Sequence, residues 1–163
     1  GAQLQPDRLE LEPVDIPELV ERVCNSFSRV HEDATLHLTI DRRGPRKAIL
    51  PSVAFSQAIL NLIDNALQSA GPEEPVEVTV RSPGGRIEVA VLDRGPGWPE
   101  LVRSHLGEPF VTTKPNGVGL GLYYVHSLSE AVGADFSLED RPEGGAMARI
   151  SLPAATPQAE TQP

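Results

Sequence analysis

Thiols are nearly absent from this sequence. Cys24 is the one cysteine in 163 residues, so no internal disulfide can form and a reducing, cytoplasmic setting is the default expectation. It falls inside a helical pattern and reads as a small core residue. Long apolar runs are missing too: nothing approaches the roughly 20 residues needed to span a bilayer, and no signal-peptide pattern opens the chain. Positive charge is scarce, with 14 Lys and Arg against 23 Asp and Glu and a net charge of -9. That balance argues against a nonspecific nucleic-acid binder, whose affinity comes from neutralising phosphates. A small anionic ligand held by local dipoles or a metal stays open. No Ser-His-Asp or Cys-His signature and no internal repeat is visible.

What is present suffices for a core. The chain is 39% hydrophobic and 23% charged, about one domain on the usual length prior. Gly1-Ala2 reads as an expression scar, and residues 1–8 as scar and linker. The ordered domain is expected over residues 9–153, and residues 154–163 of "PAATPQAETQP" lack apolar periodicity and read as a disordered tail. "RLELEPV" is a short extended piece ending in a turn. "DIPELVERVCNSF" is a helix capped at Asp15 or Ile16, with Pro17 in its first turn. "TLHLTID" and "KAIL" read as strands, and a long helix follows from about Ser52 to Ala70, closed by Gly71-Pro72. "PVEVTVRS" and "RIEVAVLD" form a hairpin around Pro83-Gly84-Gly85. Residues 94–118 lack sustained periodicity. A second long helix runs from about Gly119 to Val132, and "DFSLEDR" and "AMARISL" are the last strands. The sum is an α/β domain whose helices cover one face of a mixed, largely antiparallel sheet.

Three segments carry chemistry. On the helix over 52–70, Gln57, Asn61, Asp64, Asn65 and Gln68 share a narrow sector, while Phe55, Ile59, Leu62, Ile63 and Ala66 share the other side. Asparagine is a poor helix former, and this helix has no Lys or Arg. The stripe is either a plain polar face or two carboxamide oxygens aimed at one cation, and Mg²⁺ takes such hard ligands. "VLDRGPGW" ends a strand at Asp93 and turns on Gly95 and Gly97. It is either a polar turn or a carboxylate for an exocyclic amine such as adenine's, beside backbone bare enough for a flat ring. "TTKPNGVGLGLYYV" places Gly117, Gly119 and Gly121 where a helix begins, as loop slack or as a phosphate site at a helix N-terminus. It is not a P-loop, because Lys114 precedes the glycines. Nor is it a dinucleotide fingerprint, which needs a strand running into G-x-G-x-x-G.

Together, "FSQAILNLIDNALQSA", "VLDRGPGW", "EPFVTTKPNGVGLGLYYV" and "PEGGAMARISLP" resemble the asparagine box, first glycine box, phenylalanine box, second glycine box and closing strand of one family. It is the catalytic and ATP-binding domain of sensor histidine kinases, of the Bergerat or GHKL type. The lid segment is most like that of nitrogen-regulator and redox-regulator kinases. The resemblance spans roughly Leu9 to Pro153. It implies an α+β fold: a two-layer sandwich, with a mixed, mostly antiparallel sheet covered on one face by about three helices and a mobile ATP lid over about 98–116. It implies Asn65 as the Mg²⁺ ligand, with Asn61 assisting at the metal or phosphates. Asp93 would take the adenine amino group, with Gly95 and Gly97 as floor. Gly117, Val118, Gly119, Leu120 and Gly121 would wrap the phosphates. Phe110 would anchor the lid, with Thr112, Thr113 and Lys114 near the phosphates. Asn61, Asn65 and Lys114 would be the catalytic set.

The implied activity is γ-phosphate transfer from Mg-ATP to a histidine on a separate, upstream helical hairpin, from which residues 1–8 would be the linker, for relay to a response-regulator receiver domain. ATP and ADP are thus expected ligands. Dimerisation would belong to that hairpin, so this piece is expected to be monomeric, without nucleic-acid or membrane contact. His31 in "HEDATLH" lacks the proline of an acceptor motif and reads as a surface loop residue, and His37 as solvent-facing on its strand. Gln68 stands where many members have a lysine, Trp98 where they have a smaller aliphatic residue, and "EGGAMA" lacks the usual threonine-bearing pattern. Competing readings are an ATP-gated clamp, an anti-sigma-type serine kinase and a degenerate scaffold. Clamps place a glutamate where this chain has Asn61, which counts against hydrolysis.

Overall fold

Asp15 decides where the first helix starts. In a computed structural model, which describes residues 9–71, 73–109 and 120–156, its carboxylate accepts the Glu18 N–H at 3.0 Å and so satisfies one of the helix's orphan donors. Pro17 lies in the first turn, where a missing N–H costs nothing. The helix, α1 (Ile16–Val30), buries Ile16, Leu19, Val20, Val23, Cys24 and Phe27 along one face. The strand before it, β1 (Glu12–Asp15), runs straight into the helix without the expected turn. It pairs antiparallel with β3 (Lys47–Leu50) as a separate two-stranded ribbon.

The main sheet has five strands in the order β2-β4-β5-β7-β6. These are β2 (Leu36–Ile40), β4 (Val76–Arg81), β5 (Ile87–Asp93), β6 (Asp135–Asp140) and β7 (Ala146–Leu152). Only the β2–β4 pair is parallel; the other three are antiparallel. The expected β4–β5 hairpin is present, joined by a short 3-10 turn at Pro83–Gly85. Strand alternation sends Val76, Val78 and Val80, with Ile87, Val89 and Val91, into one core.

That core is covered by α1, α2 (Ser52–Ala70) and α4 (Gly121–Val132). On α2 the side with Phe55, Ala58, Ile59, Leu62, Ile63 and Ala66 is buried, as the 3.6-residue period requires. Gly71, at φ +87°, closes it. α4 begins at Gly121; Gly119, where the sequence suggests its start, lies outside the described residues. It ends on Gly133 in the left-handed conformation, with the Ala134 N–H returning to the Ser129 carbonyl at 2.8 Å. This is an α+β domain, a mixed, mostly antiparallel sheet with helices on one face.

A five-residue helix, α3 (Glu100–Ser104), lies in the stretch that lacks sustained periodicity in the sequence, and its single buried residue, Val102, is too little to register as a repeat. Past β7, the Ala155 N–H donates to the Lys47 carbonyl at 2.7 Å, holding the chain beside β3; residues 157–163 of the expected tail lie outside the described residues.

Candidate nucleotide site

The polar side of α2 faces the start of α4. Asn61 Nδ2 donates to the Gly121 carbonyl at 3.3 Å, and Asn61 Oδ1 accepts from Gln57 Nε2 at 2.9 Å. The carboxamide is thereby oriented, with lone-pair capacity left on its oxygen. Asn65, one turn on, lies beside the same glycine: a Cβ at Gly121 would stand 3.7 Å from Asn65 Nδ2 and 3.8 Å from Asn61 Cβ. The bare backbone of Gly121 leaves that space open between the helices. Leu120 at the cap position supplies no side-chain acceptor, and the first turn carries no acid. The N-terminal N–H groups of α4 and its positive dipole end therefore have no anionic neighbour within that turn.

Asp93 stands at the end of β5. Alternation places it with Ile87, Val89 and Val91 on the helix-facing side of the sheet, and it is 3% exposed. Its Oδ1 accepts the Gly95 N–H at 2.8 Å. Gly95 in turn packs on the last turn of α2, where a Cβ would come within 2.8 Å of the Ser69 carbonyl oxygen. Gly97, at φ +90°, lies against the Asp140 carboxylate. The turn is thus seated between α2 and the end of β6, and a cavity of about 590 Å³ adjoins it, lined by Arg94, Gly95, Arg141, Glu143 and Gly144.

At the start of the segment expected to form the lid, Trp98 is fixed through both of its nitrogens. Its indole N–H donates to the Met147 carbonyl at 3.0 Å and its main-chain N–H to Asp140 Oδ1 at 3.3 Å. Arg103 on α3 reaches the same carboxylate at 3.2 Å. Phe110, Thr112, Thr113, Lys114, Gly117, Val118 and Gly119 lie outside the described residues. His31 and His37 are exposed, and the His31 ring stacks on Phe27 with centroids 4.1 Å apart. Burial pushes the Tyr124 hydroxyl, on α4, above its ordinary pKa.

A family model described as the histidine kinase-, DNA gyrase B- and HSP90-like ATPases matches residues 51–156, the stretch that carries the contacts of α2, the Asp93 turn and α4. The chain belongs to this ATPase family. It corresponds to the ATP-binding catalytic domain of sensor histidine kinases. Nitrogen regulation protein NtrY of Azorhizobium caulinodans is 36% identical over 113 residues, 64% of this chain and 15% of that protein. The solved mycobacterial sensor histidine kinase MprB superposes with a TM-score of 0.77 at 29% identity, covering 89% of this chain and 98% of that one. Full-length ShkA, solved in complex with AMPPNP, gives a TM-score of 0.76 at 32% identity over 91% of this chain and 32% of its own. The chain spans about a third or less of the curated relatives it matches.

Within this ATPase fold the sequence reading left one contact unassigned. "EGGAMA" touches the Asp93 end of β5: Asp93 is in register with Ala146, and the Arg141 guanidinium donates to the Asp93 carbonyl at 3.2 Å. The double glycine was the available signal. Nothing local in the sequence points to Arg141.

Proposed function

We propose that this domain binds Mg-ATP between α2, the Asp93 turn and the N-terminus of α4. The γ-phosphoryl group then passes to a histidine on a separate helical hairpin, for relay to a response-regulator receiver domain. One observation carries the reading: Asn61 and Asn65, seated against an uncapped helix N-terminus at Gly121, share the α2 helix with the last turn on which the Asp93–Gly95 turn packs. A carboxylate for the adenine amine and donors for the phosphates thus meet along one helix.

Asp93 would hold the base, with Gly95 and Gly97 letting the ring lie close to backbone. The α4 amides, with Gly117, Val118, Gly119, Leu120 and Gly121, would hold phosphate oxygens. Lys114 would neutralise charge there, Thr112 and Thr113 would lie alongside, and Phe110 would anchor the lid. Asn65 and Asn61 offer hard carboxamide oxygens, and Asn65 would be the protein ligand of Mg²⁺. When bound, the metal neutralises triphosphate charge. The transfer breaks the bond from the γ-phosphorus to the β–γ bridging oxygen and forms one to an imidazole nitrogen, releasing ADP. It asks this domain for positioning and charge neutralisation rather than a nucleophile. Asn61 cannot take a proton from water, which disfavours simple hydrolysis. The domain is read as cytoplasmic and monomeric, without nucleic-acid or membrane contact; no described helix is long and apolar enough to cross a membrane.

The test is calorimetric titration of ATP, ADP and GTP, with and without Mg²⁺, on wild type and Asp93→Asn. Adenine-selective, Mg²⁺-sensitive binding that the variant loses is expected. Absence of binding under every condition overturns the reading.

A further inference from the structure

We propose that Arg141 is a positioning residue for Asp93, acting through that residue's main chain and so helping to set the base preference of the nucleotide pocket. The inference rests on the ATP-site reading above. Arg141 follows β6 directly, and its side chain is only 11% exposed. Nη1 donates to the Asp93 carbonyl at 3.2 Å, while Nη2 lies 3.5 Å from a Glu77 carboxylate oxygen on β4 and 3.6 Å from one of Glu143. Its own main chain is fixed by the turn it opens: the Arg141 N–H donates to Gly145 O, and its carbonyl accepts from Gly144 N–H, each at 3.0 Å. Gly144 and Gly145 take φ of +98° and +113°, a turn that favours glycine.

Two independent features converge on one carbonyl. A Cβ at Gly145 would collide with the Asp93 carbonyl oxygen, so the glycine admits the close approach that the arginine's hydrogen bond accompanies. The Asp93–Ala146 pair is the last rung between β5 and β7; past it the chain turns away, and ladder bonds no longer restrain it. Fixing this carbonyl restrains the ψ of Asp93, and hence where its carboxylate stands relative to an exocyclic amine about one hydrogen bond away. Planarity and multiple donors suit the task. A guanidinium reaches a carbonyl and a carboxylate from different nitrogens, whereas a lysine presents one ammonium. Burying it carries a desolvation cost, which Glu77 and Glu143 offset.

The test separates positioning from stability by comparing ATP with inosine triphosphate, whose 6-oxo group replaces the amine that Asp93 would hold. Both are titrated into wild type, Arg141→Met and Arg141→Lys, with thermal melts in parallel. The preference of wild type for ATP is expected to fall about tenfold in Arg141→Met, roughly the loss of one well-aligned charge-assisted hydrogen bond, and to recover in part in Arg141→Lys. An unchanged ATP:ITP ratio in Arg141→Met overturns the proposal, even if both affinities or the melting temperature drop. If that variant does not fold, Glu77→Gln, which removes one of the two carboxylates beside the far end of the guanidinium, must lower the ratio in the same direction; an unchanged ratio overturns the proposal equally. A wild type that binds neither nucleotide, or both alike, rejects the adenine pocket itself, an outcome distinct from a selective wild type matched by an equally selective variant.

Discussion

Adding one methyl group at Gly95 should separate two elements that the nucleotide site needs together. In Gly95→Ala the new Cβ would lie 2.8 Å from the Ser69 carbonyl oxygen, 3.0 Å from its carbonyl carbon and 3.1 Å from Asp93 Oδ1. Two of these neighbours are main chain in the last turn of α2, and the third is a carboxylate already fixed by the Gly95 N–H. None is the loose end of a flexible side chain. Restoring ordinary contact takes a displacement of roughly 0.6 Å, and overpacking of that kind costs about 1–3 kcal/mol. For a domain of this size that is a fall in melting temperature of about 2–10 °C. Because the displaced pair is Asp93 and the helix bearing Asn65, ATP affinity should drop beyond the thermal loss, by about tenfold or more for a half-ångström misfit in a hydrogen-bonded base. Differential scanning calorimetry gives the first quantity and ATP titration well below the melting temperature gives the second. A variant melting within 1 °C of wild type with unchanged ATP affinity would refute the packing argument. One that melts early but binds ATP normally would refute the link to the site.

Two further predictions concern titration. Burial pushes the Cys24 thiol up to about 11 from an ordinary value of 9.0. The folded state therefore keeps its proton where the unfolded chain loses it, and the contribution is complete below pH 9 and lost as pH rises towards 11. At most about 2–3 kcal/mol is involved, and denaturant midpoints at pH 7, 9 and 10.5 should fall more steeply for wild type than for Cys24→Ala; parallel profiles would contradict this. Burial raises the Asp15 carboxyl too, but the Arg46 hydrogen bond, the Glu18 N–H and the attraction of Arg46 and Lys47 outweigh it, so its pKa ends below the ordinary value. That stabilisation is present above the ordinary carboxylate range and lost as pH falls through the lowered value. Asp15→Ala should cost about 1 kcal/mol at pH 7, and urea titrations should show the gap to wild type closing in acid. A gap independent of pH would leave the helix cap without its charge.

Elements that announce themselves locally were the legible ones. Asp15 and Pro17 mark the entry of α1, Gly71 the exit of α2, and Pro83-Gly84-Gly85 the hairpin, because each depends on a preference of the residues themselves. The asparagine stripe was legible for a related reason: a helical period brings Asn61 and Asn65 together before any tertiary contact is known. Their shared neighbour Gly121, 60 positions from Asn61, was not. Sheet order was equally hidden, since the parallel β2–β4 pair and the place of β6 at the edge follow from long-range packing. Arg141 is the extreme case: it acts 48 residues away, on a main-chain carbonyl that has no signature in sequence. α3 escaped because five residues complete too little of a helical repeat.

The small ribbon has a mechanical consequence. Successive carbonyls of a strand point to opposite edges, and β3 sits at such a division: the Arg46 carbonyl just before it accepts from Ile16, while that of Lys47 accepts from Ala155. The first and last described strands of backbone are thus fastened to the two sides of one short strand. A pulling force applied between them would be carried first by this β1–β3–155 seam, as a strap carries the load of a parcel. The five-stranded sheet and its asparagine-bearing helix would lie outside the line of tension, so the seam should yield at forces that leave the nucleotide pocket intact.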